Sequence, residues 1–538
     1  MNQRPRIQLV AINASFVLSG TTLMSARRPV GELENGDFTE RAAVPIGTPE
    51  YRERICQKAL EGTRRATSAV AELPTHATVT APAVQCGLLL LRMCVHPRVI
   101  HLLRSSFSDV IIDLASSFDA AVRAGFEQLV GANVAAGSLA ERQLQLPIRL
   151  GGCGPTPMLR IAPAAYLGSW MLCLKAVELR VGAQVLGPNV PETSVTACVA
   201  RAEQALLRGP REPAVDWRPI AARPMEQGQR ALMTARNRAA RVALLAAETV
   251  RGRTRVQCCT GTVSGAFLTA VPVENELALS NTDMRLAIRL RLGLPLSGAS
   301  VWCSRCRARV DVEGNHFHAC HGNSTIRHNR LRDMLEALLR RAGLEVMSEQ
   351  EEPRLRHRPD LRVEQGLPPS LAYLDVSVAH ATAPSANHAE GARNPDAAVR
   401  EAWRVKVKRE YAPLSVCANF RLIPAVATTH GSWHPDMLRF LAECAQRVGS
   451  ANPSVPGASA LPQAVLQGWI CRLSIALQRQ NAAMARRCVP AGEDFGLDRP
   501  WAEGPPLLWE QVFMSCACDD AEDGAGDLDQ WDSSSEQV

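Results

Sequence analysis

Along the first half of the chain, apolar positions recur at helical rather than strand spacing. A helix is expected from about Pro49 to Ala71, after a turn at Pro45-Ile46-Gly47. From Ala83 to Leu139 the pattern is again helical, carried by Leu88, Leu89, Leu91, Met93 and Val95, then by Val110, Ile111, Leu114 and Phe118. The run Leu146 to Pro155 breaks it, and another apolar helix follows around Ala164–Leu179. The glycines of that break lack the Lys-Ser/Thr of a phosphate loop and the strand–helix spacing of a dinucleotide fingerprint, so they read as a tight turn. Prolines at Pro188, Pro191, Pro210, Pro213, Pro219 and Pro224 mark 185–230 as a linker or loose helical spacer. Asn281 or Thr282 can cap a helix whose Leu286, Leu290 and Leu292 face a core, and Gly293 and Pro295 end it.

The pattern changes after Val301. Ser324 or Thr325 can open a helix running from about Arg327 to Arg341, with Leu331, Met334/Leu335, Leu338/Leu339 and Ala342 as one apolar stripe and Gly343 as its end. Three strands are then expected, at Leu344–Met347, Asp360–Val363 and Leu371–Val378, the last two joined through the turn-rich Gln365–Pro369. A basic helix follows from Asp396 to Tyr411, then a connector after Gly449 and a final amphipathic helix around Ala464–Arg487. The fold class is α+β, with a mainly α-helical N-terminal half.

Length and charge sharpen this picture. A chain of 538 residues is too long for one ordinary core. The net charge of +7 understates the basic character of the body, because Asp519–Val538 carries eight acids and no Lys or Arg; without that tail the remainder stands at +15. A basic, Arg-rich body with an acidic tail suits a nucleic-acid partner, DNA or RNA. Seventeen cysteines, odd in number and without a disulfide rhythm, suit reduced thiols and clustered metal ligands. No signal-peptide core and no uninterrupted apolar run of membrane-spanning length is apparent, so a nuclear or cytoplasmic location without a membrane partner is expected.

Two constellations carry chemistry. Cys303-Ser304-Arg305-Cys306 turns two thiolates toward one point, and His316 with Cys320 can complete a closed tetrahedral site for structural zinc; His318 competes with His316 for the third place. Cys258-Cys259 and Cys516/Cys518 have no histidine at comparable spacing. Asp360 and Asp375 fall on the expected hairpin, where neighbouring carboxylates are tolerated if a divalent cation such as magnesium lies between them. In the basic helix, Arg404, Lys408 and Tyr411 fall at i, i+4 and i+7 on one face. A lysine there can hold a phosphate or orient a water, with Tyr411 in support.

Together these residues resemble the C-terminal half of a non-LTR retrotransposon protein with a restriction-like endonuclease. The resemblance rests on the Cys-Cys-His-Cys knuckle, Arg327-His328-Asn329, Arg358-Pro359-Asp360, Leu374-Asp375-Val376, Lys408-Arg409-Glu410-Tyr411 and the segment Cys417 to Trp433. Upstream, Pro45-Ile46-Gly47, Leu91-Arg92-Met93-Cys94 with Pro97-Arg98, and Leu146-Pro147 through Gly151-Gly152 resemble the thumb and following region of such reverse transcriptases. The resemblance implies Asp360 and Asp375 as magnesium ligands and Lys408 as catalytic lysine, with Lys406 as a substitute. The position of the lysine in a compact Asp-x-Lys signature is Ser377 here, so the lysine comes from the later helix. It also implies a small αβββα restriction-endonuclease-like domain that nicks target DNA for target-primed reverse transcription, with element RNA as a second partner.

The expected organisation is then a remnant of the reverse transcriptase end (1–80), a thumb-like helical region (81–184), a linker and helices (185–295) and the zinc knuckle (296–325). The endonuclease (326–450), a C-terminal helical region (451–514) and an acidic disordered tail (515–538) complete it. The Asp-Asp pair Asp519-Asp520 lies in the tail without a preceding aromatic and Ala, so polymerisation by this chain alone is not expected, and a polymerase-bearing partner chain is a candidate. The rival readings are a non-catalytic nucleic-acid-binding remnant and a zinc-stabilised interaction scaffold.

Overall fold

The computed structural model describes residues 48–75, 82–186, 190–207, 228–296, 300–349, 358–364, 371–383, 386–411, 420–450 and 461–488. The expected turns at Pro45-Ile46-Gly47 and Gln365–Pro369, much of the Pro-rich spacer, the connector after Ser450 and the acidic tail lie outside these residues. Among the described residues the chain is mostly helical with one small four-stranded mixed sheet, an α+β architecture.

The helical body begins with α1 (Pro49–Glu72), whose first turn is fixed by Pro49 and by the Thr48 hydroxyl accepting from the Tyr51 amide at 3.3 Å. It continues through α2 (Ala83–Leu90), α3 (Ile100–Ser105), α4 (Asp109–Val130), α5 (Leu139–Leu144) and α6 (Met158–Val181). The stretch Ala83–Ser105 is one continuous helical run, apolar and long enough by composition to cross a bilayer, which the reading of uninterrupted apolar runs does not detect. Its Val84, Leu91, Val95, Leu102 and Leu103 are buried in the core of the body. Next come α7 (Ser194–Leu207), inside the expected spacer, then α8 (Gly228–Ala247), α9 (Val250–Cys258) and α10 (Asn281–Leu292).

Helix α10 is buried almost throughout. Its N-cap is Ser280, whose hydroxyl accepts from the Asp283 amide at 3.1 Å, not Asn281 or Thr282 as expected. Asn281 instead accepts from the Val84 amide at 2.9 Å and ties α10 to α2. The left-handed Gly293 (φ 66°) closes the helix.

The arginines of α10 show where part of the Arg excess goes. Arg285 donates to the Leu129 carbonyl at 2.9 Å and Arg289 to that of Gly131. Arg291, 2% exposed, donates to the carbonyls of Gly152, Ser264, Ile148 and Cys259 at 3.0–3.2 Å. A rigid five-donor fork satisfies several buried carbonyls at once, which a lysine cannot. These arginines staple the body and are not free to meet phosphate. They also explain the glycine-rich break as a tight turn, since a Cβ on Gly152 would lie 2.0 Å from the Leu146 carbonyl oxygen.

The metal-ligand segment follows as a short hairpin, β1 (Val301–Trp302) with β2 (Arg309–Val310), and the helical turn α11 (Asn315–Ala319). Helix α12 (His321–Arg341) starts earlier than expected, which places Ser324 and Thr325 inside it rather than at its cap. The sheet has β3 (Glu345–Ser348), β4 (Leu361–Glu364) and β5 (Leu371–Ala379) in antiparallel succession. Between β5 and the last strand lie α13 (His388–Gly391) and α14 (Ala397–Lys406), and α14 runs into one π-helical turn, Val407–Tyr411.

The fourth strand, β6 (Phe420–Thr428), pairs parallel to β5, so the expected three-stranded core is a four-stranded one. Pro424 lies within β6 and has no amide to donate, which an edge strand tolerates. Helices α15 (Pro435–Ser450) and α16 (Leu461–Cys488) complete the chain's described part.

One face of the sheet, with Ala372, Leu374 and Val376 of β5, packs on Leu331, Leu335, Leu338 and Leu339 of α12 and on Phe440 and Leu441 of α15. Burying each such leucine contributes about 1.5–3 kcal/mol. The period of two in a strand then turns Tyr373 and Asp375 to the opposite face, against α14. Helix α16 belongs to both units: Ile470 and Ile475 enter the core of the body, while Trp469, Leu473 and Leu477 enter that of the sheet.

Candidate active site and metal centre

The register Leu361↔Leu374 sets Asp360, at the entry to β4, beside Asp375 of β5. Their carboxyl groups are close enough to shift each other's ionisation. Asp360 accepts from His328 Nε2 at 2.9 Å through Oδ1 and from the Val376 amide at 2.6 Å through Oδ2. On Asp375, Oδ1 accepts from the Lys406 ammonium and Oδ2 from the Tyr411 hydroxyl at 2.5 Å. Both Asp375 and Tyr411 are buried.

These contacts divide the pair electrostatically. Burial pushes Asp375 up to about 7 against the pull of Lys406, and the neighbouring Asp360 adds to the rise. Asp360 also meets a burial penalty, but the His328 hydrogen bond, the contact with Asp375, the His328 charge and the Val376 amide together hold it down at about 2. His328 is raised in turn, chiefly by its hydrogen bond to Asp360. Tyr411 is raised by burial and by the carboxylate it donates to.

The two candidate lysines are placed differently. Lys408 is exposed, whereas the half-buried Lys406 reaches Asp375. An unbroken α-helix would set Lys406 and Tyr411 roughly 140° apart around its axis. The π-helical turn Val407–Tyr411 widens the helix, which reduces that offset to roughly 50°, and Lys406 and Tyr411 converge on Asp375. The face of Arg404, Lys408 and Tyr411 expected from helical spacing does not form.

The sequence did carry a signal for Lys406. Val399, Trp403 and Lys406 fall at i, i+4 and i+7, and Val399 is fully buried, so Lys406 continues the inward face while Lys408 lies half a turn away. His328 was readable in the same way. It precedes Leu331 by three and Leu335 by seven, and so heads the stripe that faces the sheet.

The second site gathers four ligand atoms, Sγ of Cys303, Cys306 and Cys320 with a nitrogen of His316, all within 4.8 Å of one another. Cys303 and Cys320 form a buried half with sulfurs 4.0 Å apart, and Cys306 and His316 Nε2 an exposed half at 3.1 Å. Three sulfurs and one imidazole at these separations suit zinc, which takes thiolates at about 2.3 Å and imidazole at about 2.0–2.1 Å in a tetrahedron. The turn is closed by Arg307 in the left-handed region (φ 58°) and by the Arg307 amide donating to the Cys303 carbonyl at 2.9 Å. Burial opposes ionisation of Cys303, but backbone amides of Cys306 and Arg305, with His316 and the Cys306 side chain, bring it down to about 6. The thiolate that a metal needs is therefore favoured.

His318 points elsewhere. Its ring is fully buried, 5.0 Å from that of His380, and neither ring nitrogen meets a protein hydrogen-bond partner. Burial, together with the neighbouring His380 and Arg327, holds it neutral. His316 is the histidine of the cluster. No protein-family model and no curated protein matches the chain.

Proposed function

We propose that the sheet and the helices around it form a metal-dependent DNA endonuclease, of the kind that nicks target DNA in a non-LTR retrotransposon, behind a structural zinc site. The observation that carries this reading is the meeting of Asp360 and Asp375 on adjacent strands with Lys406 and Tyr411 on the second carboxylate. Burial is the main cause of the rise of Asp375 and the neighbouring Asp360 adds to it, so the pair favours one ionised and one protonated carboxyl. Asp360 and Asp375 would hold a divalent cation such as magnesium, which would supply water activation and charge neutralisation at a scissile phosphate.

The protein's own groups have defined parts. His328 and the Val376 amide hold Asp360 ionised and oriented. Tyr411 fixes the rotamer of Asp375, and Lys406, beside the same carboxylate, would be the group to hold a phosphate oxygen. The basic helical surfaces would hold DNA or element RNA through their phosphates. A nuclear or cytoplasmic setting and a polymerase-bearing partner chain belong to the same reading.

The test is magnesium-dependent relaxation of supercoiled plasmid by purified full-length chain. Nicking that disappears in Asp360→Ala and Asp375→Ala, while salt-sensitive DNA binding persists, supports the nuclease. One observation favours the alternative of a non-catalytic nucleic-acid-binding remnant: every carboxylate oxygen of the pair already accepts from a protein donor. DNA binding without nicking on any target decides for the remnant.

A further inference from the structure

Three imidazoles meet where the metal-ligand segment, the sheet and α16 join. The ring of His380, just past β5, lies 5.0 Å from that of His318 in α11 and 6.3 Å from that of His430, in the turn after β6. His380 is satisfied. Its Nε2 donates to Asn315 Oδ1 at 3.2 Å, which leaves Nδ1 to accept from the Thr429 hydroxyl at 2.9 Å. His318 and His430 are 4% and 3% exposed, and none of their four ring nitrogens meets a protein partner among the described residues. Buried polar atoms without partners are rare in folded proteins and point to something bound.

The charge beside these rings decides what that is. Arg327 of α12, 3% exposed, donates to Asn481 Oδ1 at 3.1 Å and to the His318 carbonyl at 3.4 Å, while its Nε meets no partner. No carboxylate pairs with it among the described residues. Asn481 in turn donates to the Thr429 carbonyl at 2.8 Å, which joins Arg327 to the turn that carries His430. Buried Arg291, by contrast, spends its guanidinium on four carbonyls. The acids that border the junction, Asp311 and Glu313, accept from the Asn315 side-chain amide at 3.1 and 3.2 Å, and Glu313 also pairs with Arg251.

Water would satisfy the rings but leave this buried guanidinium without a counter-ion. We propose that the junction binds one small inorganic anion of chloride size, held by the guanidinium of Arg327 and by one N–H each from His318 and His430. A neutral imidazole supplies such an N–H without ionising. Burial of all three side chains keeps a nucleic-acid phosphate out. The anion would tie α11, α12 and the turn after β6 together at one end of the sheet.

The test compares chloride with methanesulfonate at equal ionic strength and fixed zinc, on the full chain as wild type, Arg327→Met and His430→Phe. The wild-type melting temperature should rise saturably in chloride alone, by about 3 °C once chloride reaches about tenfold its dissociation constant. Line broadening of the chloride NMR signal should trace the same binding curve. Each variant should lose the chloride-specific rise and bind chloride at least about tenfold more weakly. If Arg327→Met does not fold, His430→Phe, which keeps an aromatic ring, decides alone. Superimposable melting curves in the two salts overturn the proposal. So does a chloride effect that the folded variants keep, since the ion then sits elsewhere. Neither result bears on the nuclease or the zinc reading.

Discussion

Lys406 and Tyr411 lie one π-helical turn apart and grip the two oxygens of the same carboxylate, that of Asp375. That relationship sets Lys406 apart from the exposed Lys408. On the proposed nuclease reading, Lys406→Ala should lower the nicking rate by about 10²–10³-fold, the scale of losing one preorganised transition-state donor. Lys408→Ala should leave the rate within a few-fold. Single-turnover plasmid nicking by the two variants checks the assignment, and equal losses would refute it.

Tyr411→Phe removes a hydroxyl that donates to a buried carboxylate. The fold should lose about 1–3 kcal/mol, the cost of leaving a buried polar group unsatisfied. Urea denaturation of the metal-free chain measures this. An unchanged midpoint would mean that Asp375 finds another donor.

The His328–Asp360 pair predicts a pH-dependent difference in stability. His328 is raised in the folded state, so its contribution is fully present below the ordinary histidine value of about 6.5 and is lost as pH rises through the folded value. Asp360 is lowered to about 2, so its contribution is present above the ordinary aspartate value and is lost as pH falls toward 2. The stability gap between wild type and His328→Gln should therefore be widest between about pH 4 and 6.5 and narrow above it. Thermal melts across that range read it directly.

Asp375 keeps its proton up to about pH 7 in the metal-free fold. A divalent cation must displace that proton, so apparent magnesium affinity should fall about tenfold per pH unit below 7 and level off above it. Calorimetry in buffers of different ionisation enthalpy should show release of up to about one proton per metal. A pH-independent affinity would place the metal elsewhere.

Removal of zinc should loosen the end of α16 as well as the knuckle, because Ser304 caps that helix and Phe317 packs on it. Chelation should raise amide exchange around residues 482–488 together with 301–320. Exchange confined to 301–320 would show that α16 holds without the metal.

Much of this molecule was legible in the sequence. The helix expected at Pro49–Ala71 is found at Pro49–Glu72, and all three expected strands occur within about a residue of their expected starts. The four cysteine and histidine ligands were readable because their spacing is local. The α+β class followed from periodicity, since apolar spacing of 3.6 and of 2 records directly which face is buried.

Other features depended on the tertiary arrangement. The strand Phe420–Thr428 carries a proline and no clean alternation, and only pairing beside Asp375 makes it a strand. The choice of His316 over His318 follows from which ring faces the other ligands and which turns toward His380. The burial of Cys488 in one cluster with Cys303 and Cys320, far away in sequence, has no local signature at all. That Tyr411 joins Lys406 on one carboxylate was decided by a single π-turn at the end of a helix. Sequence determines local periodicity and local ligand spacing because both depend on neighbours in the chain. The partners of Asp360 and Asp375 were decided by packing, because a carboxylate's donors are whatever the folded chain brings within about 3 Å of it.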